Sequence, residues 1–333
     1  MGARMRHPFR TTVFTVVAVA LVAAAWIRLP YYAVGPGPAR SVTELIDYAE
    51  QPRYEPSGHL VMTTVRYFQV SPLQALWAWV NPNWSVLPRS DLYPPGVPTD
   101  VQIQRSISQM DQSKIDATYL VLRKLDDYPK THGDGALVES TVPDCPADGK
   151  LFPGDVITTI DGRTIHDQAD ASQAISAAGP GQRLRFRVDV DGKPERASFV
   201  REPCGGVHRP LVGVVLFDTF PFDVSISSAD VGGPSAGLMW ALGLYELMTP
   251  GDLTAGRTIA GTGTIDPTNG HVGPIGGIRD KVVAAEQAGA TIFLAPADNM
   301  AELHDVDTGG MKVISVATFG DAVRALEGAG SAT

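Results

Sequence analysis

The stretch GGPSAGLMWALGLYELM (232–248) decides the fold around it. From Ser235 onward it predicts a helix that is apolar on every face, and such a helix has to be buried. The serine stands at the helix N-terminus, where unpaired backbone N–H groups and the positive end of the helix dipole can stabilise an oxyanion. The neighbouring glycines would let another chain approach closely. A serine here is equally typical of an ordinary helix cap, so both interpretations stay open.

A second glycine-rich stretch, GGIRDK (276–281), opens a further helix. A neutral lysine can act as a general base, although its usual pKa of about 10.4 must first fall to about 7–8. Lys281 precedes the apolar run VVAA and lies in the positive first turn of its helix, and both features disfavour a charged amine. The alternative is a solvated surface lysine.

The elements around these stretches follow an α/β pattern. An earlier strand (59–66) and helix (103–125) fit the same architecture, whereas residues 71–98, which include several tryptophans and prolines, favour no single assignment. Strands are predicted at 211–218, 222–228, 258–266, 291–296 and 312–317, and helices at 278–288, 300–304 and 319–328.

The middle of the chain has a different order of elements. Residues 132–204 predict two strands, a helix and a hairpin around Gly192-Lys193, which together make a small α+β domain. The predicted fold class is therefore multidomain, α+β and α/β. The individual predictions are strands at 136–141 and 155–162, a helix at 167–178, and strands at 183–192 and 195–202.

Three motifs, in order, resemble the proteolytic domain of Lon peptidases. The resemblance implies that Ser235 is the nucleophile, that Lys281 is the general base and that Thr262 orients this dyad. The backbone of Gly233, Pro234 and Ser235 is the predicted site for the oxyanion and the substrate. The motifs are GGPSAG (232–237), AGTGTID (260–266) and GPIGGIRDKVVAAEQAGATIFLAP (273–296).

The sequence departs from that family in two ways. Lon peptidases usually carry Asp three residues before the serine; here the residue is Gly232, with Asp230 nearby. No GxxxxGK[ST] motif occurs, so no P-loop ATPase is expected.

The chain thus resembles the ATP-independent, PDZ-containing Lon-like proteases of bacterial membranes. This implies an endopeptidase for exported or membrane-associated polypeptides that uses no ATP and no cofactor. Lon-type domains often form rings, so a homo-oligomer stays open.

Residues 136–165 resemble the PDZ domains of bacterial proteases, with GDVI and IDG as the recognisable core. PDZ domains add a peptide strand to an exposed sheet edge and often hold its terminal carboxylate. We expect Gly135, Ala136 and Leu137 to form the peptide-binding loop. The alternative is a domain that only packs on the catalytic domain and shields its cleft.

The predicted layout is a PDZ-like domain inserted into a Lon-type proteolytic domain. Because exposed loops tolerate insertions, removing the insert would leave a continuous catalytic domain. The predicted segments are a cytoplasmic tail and transmembrane anchor (1–30), a linker (31–57), the first part of the proteolytic domain (58–128), the PDZ-like domain (129–206) and the remaining proteolytic domain with the dyad (207–333).

The first 29 residues stand apart. Residues 11–27 carry no charge and follow a basic flank that contains Arg4, Arg6 and Arg10. A helix through Thr11–Leu29 would be close to the roughly 20 residues that span a bilayer. With the basic flank in the cytoplasm, this predicts a single-pass protein of the cell membrane whose catalytic and PDZ domains are extracytoplasmic. The alternative is a cleaved signal peptide, which would also export the chain.

The composition excludes several classes. With 36 acidic and 27 basic residues, a net charge of −9 and no dense basic run, the chain is a poor nucleic-acid binder. It has no HExxH or CxxC pair, so no metal site is expected. Its only two cysteines, Cys145 and Cys204, predict a disulfide in an exported protein, which would stabilise the fold by about 4 kcal/mol. Two unrelated thiols are the alternative.

Two rival functions remain. The spacing of Gly233, Ser235 and Gly237 also fits the nucleophile elbow of α/β-hydrolases, with His304 as the later base. That serine should directly follow a long buried strand, but a loop with two glycines intervenes here. The rival from another class is a non-catalytic, membrane-tethered PDZ scaffold, against which the intact Ser235, Lys281 and Thr262 argue.

Overall fold

The computed structural model describes residues 8–93, 96–125, 128–228 and 231–330. Its α-helices are α1 Pro8–Trp26, α2 Pro72–Val80, α3 Arg89–Leu92, α4 Thr99–Leu125, α5 Gln168–Ala177, α6 Gly237–Met248, α7 Ile278–Gln287 and α8 Phe319–Gly330. Two 3₁₀ helices cover Thr43–Leu45 and Ala297–Leu303. Its strands are β1 Tyr31–Ser41, β2 Ile46–Tyr48, β3 His59–Gln69, β4 Ser85–Pro88, β5 Ala136–Thr141, β6 Val156–Ile160, β7 Arg163–Thr164, β8 Arg183–Val190, β9 Lys193–Val200, β10 Glu202–Pro203, β11 Pro210–Leu211, β12 Val214–Asp218, β13 Val224–Ile226, β14 Thr258–Gly261, β15 Thr264–Ile265, β16 Val272–Gly273, β17 Ile292–Pro296 and β18 Lys312–Val316.

The larger sheet has the strand order β18-β17-β14-β3-β1-β4. Strands β3, β14, β17 and β18 run parallel, whereas β1 is antiparallel to both β3 and β4. Helix α6 packs on this sheet against Leu60 and Met62 of β3, with Trp240 completely buried. The prediction of a buried helix is therefore confirmed, and it is this helix that brings the glycine–serine loop to the sheet.

The predicted linker at 31–57 is wrong, because β1 lies inside the larger sheet. The prolines in this stretch suggested a linker, but the pairing of β1 with β3 is interrupted by a bulge between Pro36 and Ala39. A bulge accommodates proline because no ladder hydrogen bond is required there. Position 37 leaves no room for a side chain, because a Cβ there would come within 2.3 Å of Thr64 Oγ1, and glycine satisfies this requirement.

The inserted domain is a second sheet with the order β12-β5-β6-β8-β9 and its own apolar core, which includes Ile157, Phe186 and Phe199. Helix α5 packs against it. The chain leaves the larger domain after α4 and returns to it with β13. Strand β12 was predicted to belong to the catalytic domain after residue 206. It pairs instead with β5, so the inserted sheet ends at Asp218.

The disulfide between Cys145 and Cys204 is present in the inserted domain. Gly213 packs so closely on it that a Cβ would lie 2.1 Å from the Cβ of Cys145. Since Gly213 also has a φ of +82°, glycine is required there on two grounds. The bridge joins the loop after β5 to the turn that follows β10, and Gly213 packs on it just before β12 begins.

The first helix ends earlier than predicted. It stops at Trp26, and the backbone N–H of Leu29 already donates to the carbonyl of Val70, just after the end of β3. In the portion of the chain that the structure describes, none of the helices has both the length and the apolar character needed to cross a membrane. The predicted transmembrane anchor is therefore not supported, and Arg4 and Arg6 lie outside the described residues.

Candidate active site

Ser235 and Lys281 meet in the structure although 45 residues separate them in the sequence. Ser235 precedes α6, and Lys281 lies in the first turns of α7. The lysine Nζ is 2.7 Å from the serine Oγ, which is hydrogen-bond distance. Gly277 begins α7 with a φ of +69°, and a Cβ there would come within 3.0 Å of Val65. A glycine thus lets α7 start close enough to β3 for Lys281 to reach the serine.

The lysine amine is buried. Lys281 is only 4% exposed and belongs to a helix face that carries the buried Ile278 and Val282. Burial alone lowers the pKa of Lys281 to about 7. An amine with this pKa is substantially neutral near pH 7 and can accept a proton from a hydroxyl.

Thr262 links the two side chains. Its Oγ1 lies 2.9 Å from Lys281 Nζ and donates a hydrogen bond to the carbonyl of Ser235 at 2.9 Å. The same carbonyl accepts the backbone N–H of Gly263 at 2.8 Å. The position of the serine backbone is therefore fixed from the β14 side, and the structure brings together all three side chains named from the sequence.

The predicted backbone site is only partly available. The N–H of Gly233 donates to the carbonyl of Ser106 at 2.7 Å, so it cannot also stabilise an oxyanion in this conformation. Pro234 has no N–H. Among the residues that the structure describes, the N–H groups of Ser235 and Ala236 have no acceptor. The N–H groups left free to bind an acceptor at this loop are therefore those of Ser235, which was predicted, and Ala236, which was not.

Steric contact with Ser106 explains why position 232 is a glycine. A Cβ there would lie 2.4 Å from Ser106 Oγ and 3.1 Å from Ser106 Cβ, so helix α4 leaves no room for the aspartate seen in Lon peptidases. Asp230, the other acid near the serine, lies outside the described residues.

A cleft of about 630 Å³ opens at the serine and the lysine. The contributions of β1 and α4 to its walls were not predicted, because residues 31–57 have the composition of a linker and the apolar spacing of α4 indicates only a packed helix. The short run of aromatic and apolar residues YYAV (31–34) at the start of β1 was the available signal for a strand. The cleft is lined by Pro38, Arg40, Met62, Thr63, Thr64, Val65, Arg66, Tyr67, Ser106, Met110, Val231, Gly232, Pro234, Ser235, Ala236, Gly276 and Lys281.

Histidine has no part in this centre as far as the structure describes it. His304 and His271 are both exposed, and the partner at hydrogen-bond distance from Ser235 Oγ is the lysine. The geometry thus does not favour the α/β-hydrolase interpretation. In the same described ranges, no group of three His, Cys, Asp or Glu side chains could hold a metal ion.

The predicted peptide-binding loop of the inserted domain is wrong. Ala136 and Leu137 are buried in β5, whose two edges already pair with β12 and β6. The N–H of Gly135 donates to the carbonyl of His166. A peptide cannot add a strand to an edge that is already paired. The open edge of this sheet on the α5 side is β12, where Val215 is exposed.

The fold and the site define the class of protein: an α/β domain with a serine–lysine centre, interrupted by a small α+β domain. Residues 224–326 match the family model of the Lon protease (S16) C-terminal proteolytic domain, and residues 119–199 match the PDZ domain. The chain therefore carries a serine-peptidase domain of the Lon type and a PDZ domain. The PDZ match ends at β9, before the β12 strand that completes the sheet in the structure.

Curated relatives agree with this assignment. Over 149 residues the chain is 33% identical to "Lon protease 2" of Herpetosiphon aurantiacus, which covers 45% of this chain and 15% of that protein. Over 113 residues it is 36% identical to "Lon protease" of Citrifermentans bemidjiense, which covers 33% of this chain and 13% of that protein. The matched regions thus span less than a fifth of the length of these relatives.

Among solved structures, the PDZ domain of the SdrC-like protein Lin2157 from Listeria innocua is 29% identical, with a TM-score of 0.23. The match covers 25% of this chain and 93% of that one. The second domain of Lin2157, solved in solution, is 30% identical with a TM-score of 0.24, over 27% of this chain and 90% of that one.

Proposed function

We propose that the chain is an ATP-independent serine endopeptidase in which Ser235 is the nucleophile and Lys281 the general base. One observation carries the proposal: a lysine amine that is 4% exposed lies 2.7 Å from a half-buried serine hydroxyl at the edge of an open cleft. A solvated surface lysine would be charged near pH 7 and could not take the serine proton.

The proposed reaction is acyl transfer in two steps. Ser235 Oγ attacks the peptide carbonyl while its proton passes to the neutral Lys281 Nζ. The resulting ammonium gives that proton to the leaving amine as the peptide C–N bond breaks, which leaves an ester on Ser235. Water then attacks the ester with Lys281 again accepting a proton, and the serine hydroxyl is restored.

Two groups support these steps. Thr262 holds the lysine amine and the serine carbonyl at 2.9 Å each, which keeps the lone pair of the amine aimed at Oγ. The backbone N–H groups of Ser235 and Ala236 are the donors proposed for the oxyanion. Each such donor contributes about 3–4 kcal/mol of transition-state stabilisation in serine peptidases.

The PDZ domain is proposed to recognise polypeptide substrates along β12. This strand is an outer strand of its sheet, Val215 faces solvent, and α5 lies beside it. An extended peptide could pair with β12 and pack its side chains against α5. Because the chain runs from β12 through β13 to Ser235, peptide binding would occur close in sequence to the catalytic loop.

An extracytoplasmic location is proposed for the catalytic and PDZ domains. The disulfide between Cys145 and Cys204 supports it, since such bonds form and persist in oxidising compartments. Localisation at the cell membrane, the nature of the substrates and a homo-oligomeric state stay predictions.

The experiment is labelling of the purified full chain by a fluorophosphonate probe, which reacts with activated serines. We expect labelling of the native chain and its loss in Ser235→Ala and Lys281→Met. Lys312→Met, at an exposed position on β18, is the matched control and should label normally. If the native chain neither labels nor cleaves any unfolded polypeptide, the non-catalytic PDZ scaffold becomes the better interpretation.

A further inference from the structure

Helix α2 turns its small side chains inward and its large apolar side chains outward. Ala78 is fully buried and Ala75 partly buried against a cluster that contains Phe68 and Trp84. A helix that served only the core of its own domain would bury its large side chains instead. The exposed fractions are 79% for Trp79, 67% for Val80, 57% for Leu76, 47% for Trp77 and 41% for Leu73.

The helix holds this orientation through specific contacts. Ser71 and Gln74 form a capping box at its N-terminus, and Pro72 occupies the first turn. Arg28 donates to Gln74 Oε1 at 2.9 Å. Trp77 packs on Trp84 with ring centroids 5.2 Å apart. The exposed tryptophan and leucine are therefore presented on a capped, packed helix rather than on a fraying end, which argues for a partner surface.

The sequence around this face carries basic residues and no acid. The chain has a net charge of −9, yet residues 1–43 and 56–90 contain no Asp or Glu. Arg28 lies directly beside α2, as its bond to Gln74 shows. Tryptophan is enriched where protein meets the lipid headgroups, and basic residues around such a face are attracted by anionic lipids. A symmetric contact with a second copy would place one cationic rim against another, which is unfavourable, so apolar and cationic chemistry together match an anionic lipid surface better.

We propose that α2 is a membrane-contact face that lies in the headgroup region of an anionic bilayer. Leu76, Trp79 and Val80 would enter the interface, with Arg28 at its rim. The helix has nine residues, so it would lie along the surface rather than cross it. Helix α1 packs beside α2, and its exposed Trp26 extends the same apolar surface.

This contact would orient the cleft. Strand β3 contributes Met62–Tyr67 to the cleft wall and leads directly into α2. A bilayer that holds α2 therefore fixes the end of a strand that lines the active site. The proposal rests on α2 and its surroundings, and it stands whether or not Ser235 is catalytic.

The test places a nitroxide label on α2 in the full chain. Both natural cysteines are bonded to each other, so a single introduced thiol can be labelled selectively. Trp79→Cys reports on α2, and Phe152→Cys, an exposed aromatic of the inserted domain, is the matched control. Electron paramagnetic resonance then compares collisions with oxygen and with a water-soluble nickel complex, with and without phosphatidylcholine–phosphatidylglycerol vesicles.

On vesicle addition we expect the label at position 79 to gain oxygen collisions and to lose nickel collisions several-fold, with position 152 unchanged. Because the label reads α2 itself, binding through the first helix alone cannot imitate this result. A label at 79 that stays as accessible to nickel as the label at 152 on vesicle-bound protein overturns the proposal. The proposal is also overturned if the label at position 79 becomes immobilised without lipid and increasingly so at higher protein concentration. That result would identify a second copy of the chain as the partner of α2. Immobilisation by an unfolded polypeptide but not by vesicles would also overturn it.

Discussion

The larger domain and the inserted domain use burial in opposite ways. In the larger domain the functional groups are enclosed: Lys281 is 4% exposed and Thr262 1% exposed. In the inserted domain the side chains of the apolar core pack on each other, and the surface proposed for a polypeptide partner is the open edge of β12. Catalysis is therefore expected to fail after single buried changes in the first domain. Changes at the edge of the second should alter which polypeptides are recognised while the chemistry persists.

The sharpest test of the enclosed centre is Lys281→Met. Removing the base while keeping side-chain volume should lower kcat for peptide hydrolysis by about 10³-fold or more. A positioned general base accelerates a reaction by about 10²–10⁴-fold, and the serine also loses its hydrogen-bond partner. Single-turnover kinetics on an unfolded polypeptide measures the effect, with Lys312→Met as the control. Peptide binding to the PDZ domain should persist, and a parallel loss of both would show a general folding defect instead.

The pH dependence should follow the buried amine. Because burial lowers the pKa of Lys281 to about 7, the amine is charged and inactive below that pH. We expect kcat/KM to fall about tenfold for each unit of pH below 7 and to level off above it. A profile that is flat from pH 6 to 9 would contradict a lysine base. Peptide binding at β12 should show no such inflection at the pKa of Lys281.

The sequence could predict the centre because its residues lie in three short motifs with strong local signals. The glycine before α7 and the apolar face around Lys281 are visible within a few residues of the lysine, and the wholly apolar helix directly follows Ser235. Strand, helix and hairpin positions in the inserted domain also followed local patterns. The catalytic roles of Ser235, Lys281 and Thr262 remain proposals, but these three side chains do meet in the structure.

The features that the sequence could not predict depend on distant partners. The N–H of Gly233 is occupied by the carbonyl of Ser106, which lies in another helix. Strand β12 joins the inserted sheet through pairing with β5, which no local pattern reveals. Strand β1 was missed because a bulge tolerates its prolines. In each case a long-range contact decided the outcome.

A smaller effect is expected from Thr262→Val, which keeps the shape of the buried side chain but removes its hydroxyl. The lysine amine loses a partner at 2.9 Å and the Ser235 carbonyl keeps only the N–H of Gly263. We expect kcat to fall about 10- to 100-fold with KM little changed, because the change affects the aim of the base rather than the cleft. Thr262→Ser should restore most of the activity, and failure of that rescue would argue for a packing role.

The smallest predicted effect lies where the two domains meet. Asp116 of α4 is buried, one of its carboxyl oxygens has no partner among the described residues, and Glu139 of β5 faces it. Burial, with Glu139 and then Asp266 adding to it, raises the pKa of Asp116 to about 8. Glu139 itself accepts hydrogen bonds from Gln112 and Ser140. A protonated Asp116 can donate to Glu139, whereas two ionised carboxylates in this place would repel each other.

The sign of the pH effect follows from this raised pKa. The unfolded chain releases the Asp116 proton near pH 4, whereas the folded chain keeps it up to about pH 8. Below pH 4 Asp116 therefore has no destabilising effect, and between pH 4 and 8 it destabilises the fold increasingly as the pH rises. Asp116→Asn removes this cost and can still donate to Glu139. We expect thermal denaturation to find the variant more stable by at least about 1 kcal/mol at pH 8 and nearly unchanged at pH 4. If Asp116→Asn instead destabilises the chain equally at both pH values, the carboxyl makes a contact that asparagine cannot replace, and the junction does not respond to pH through this group.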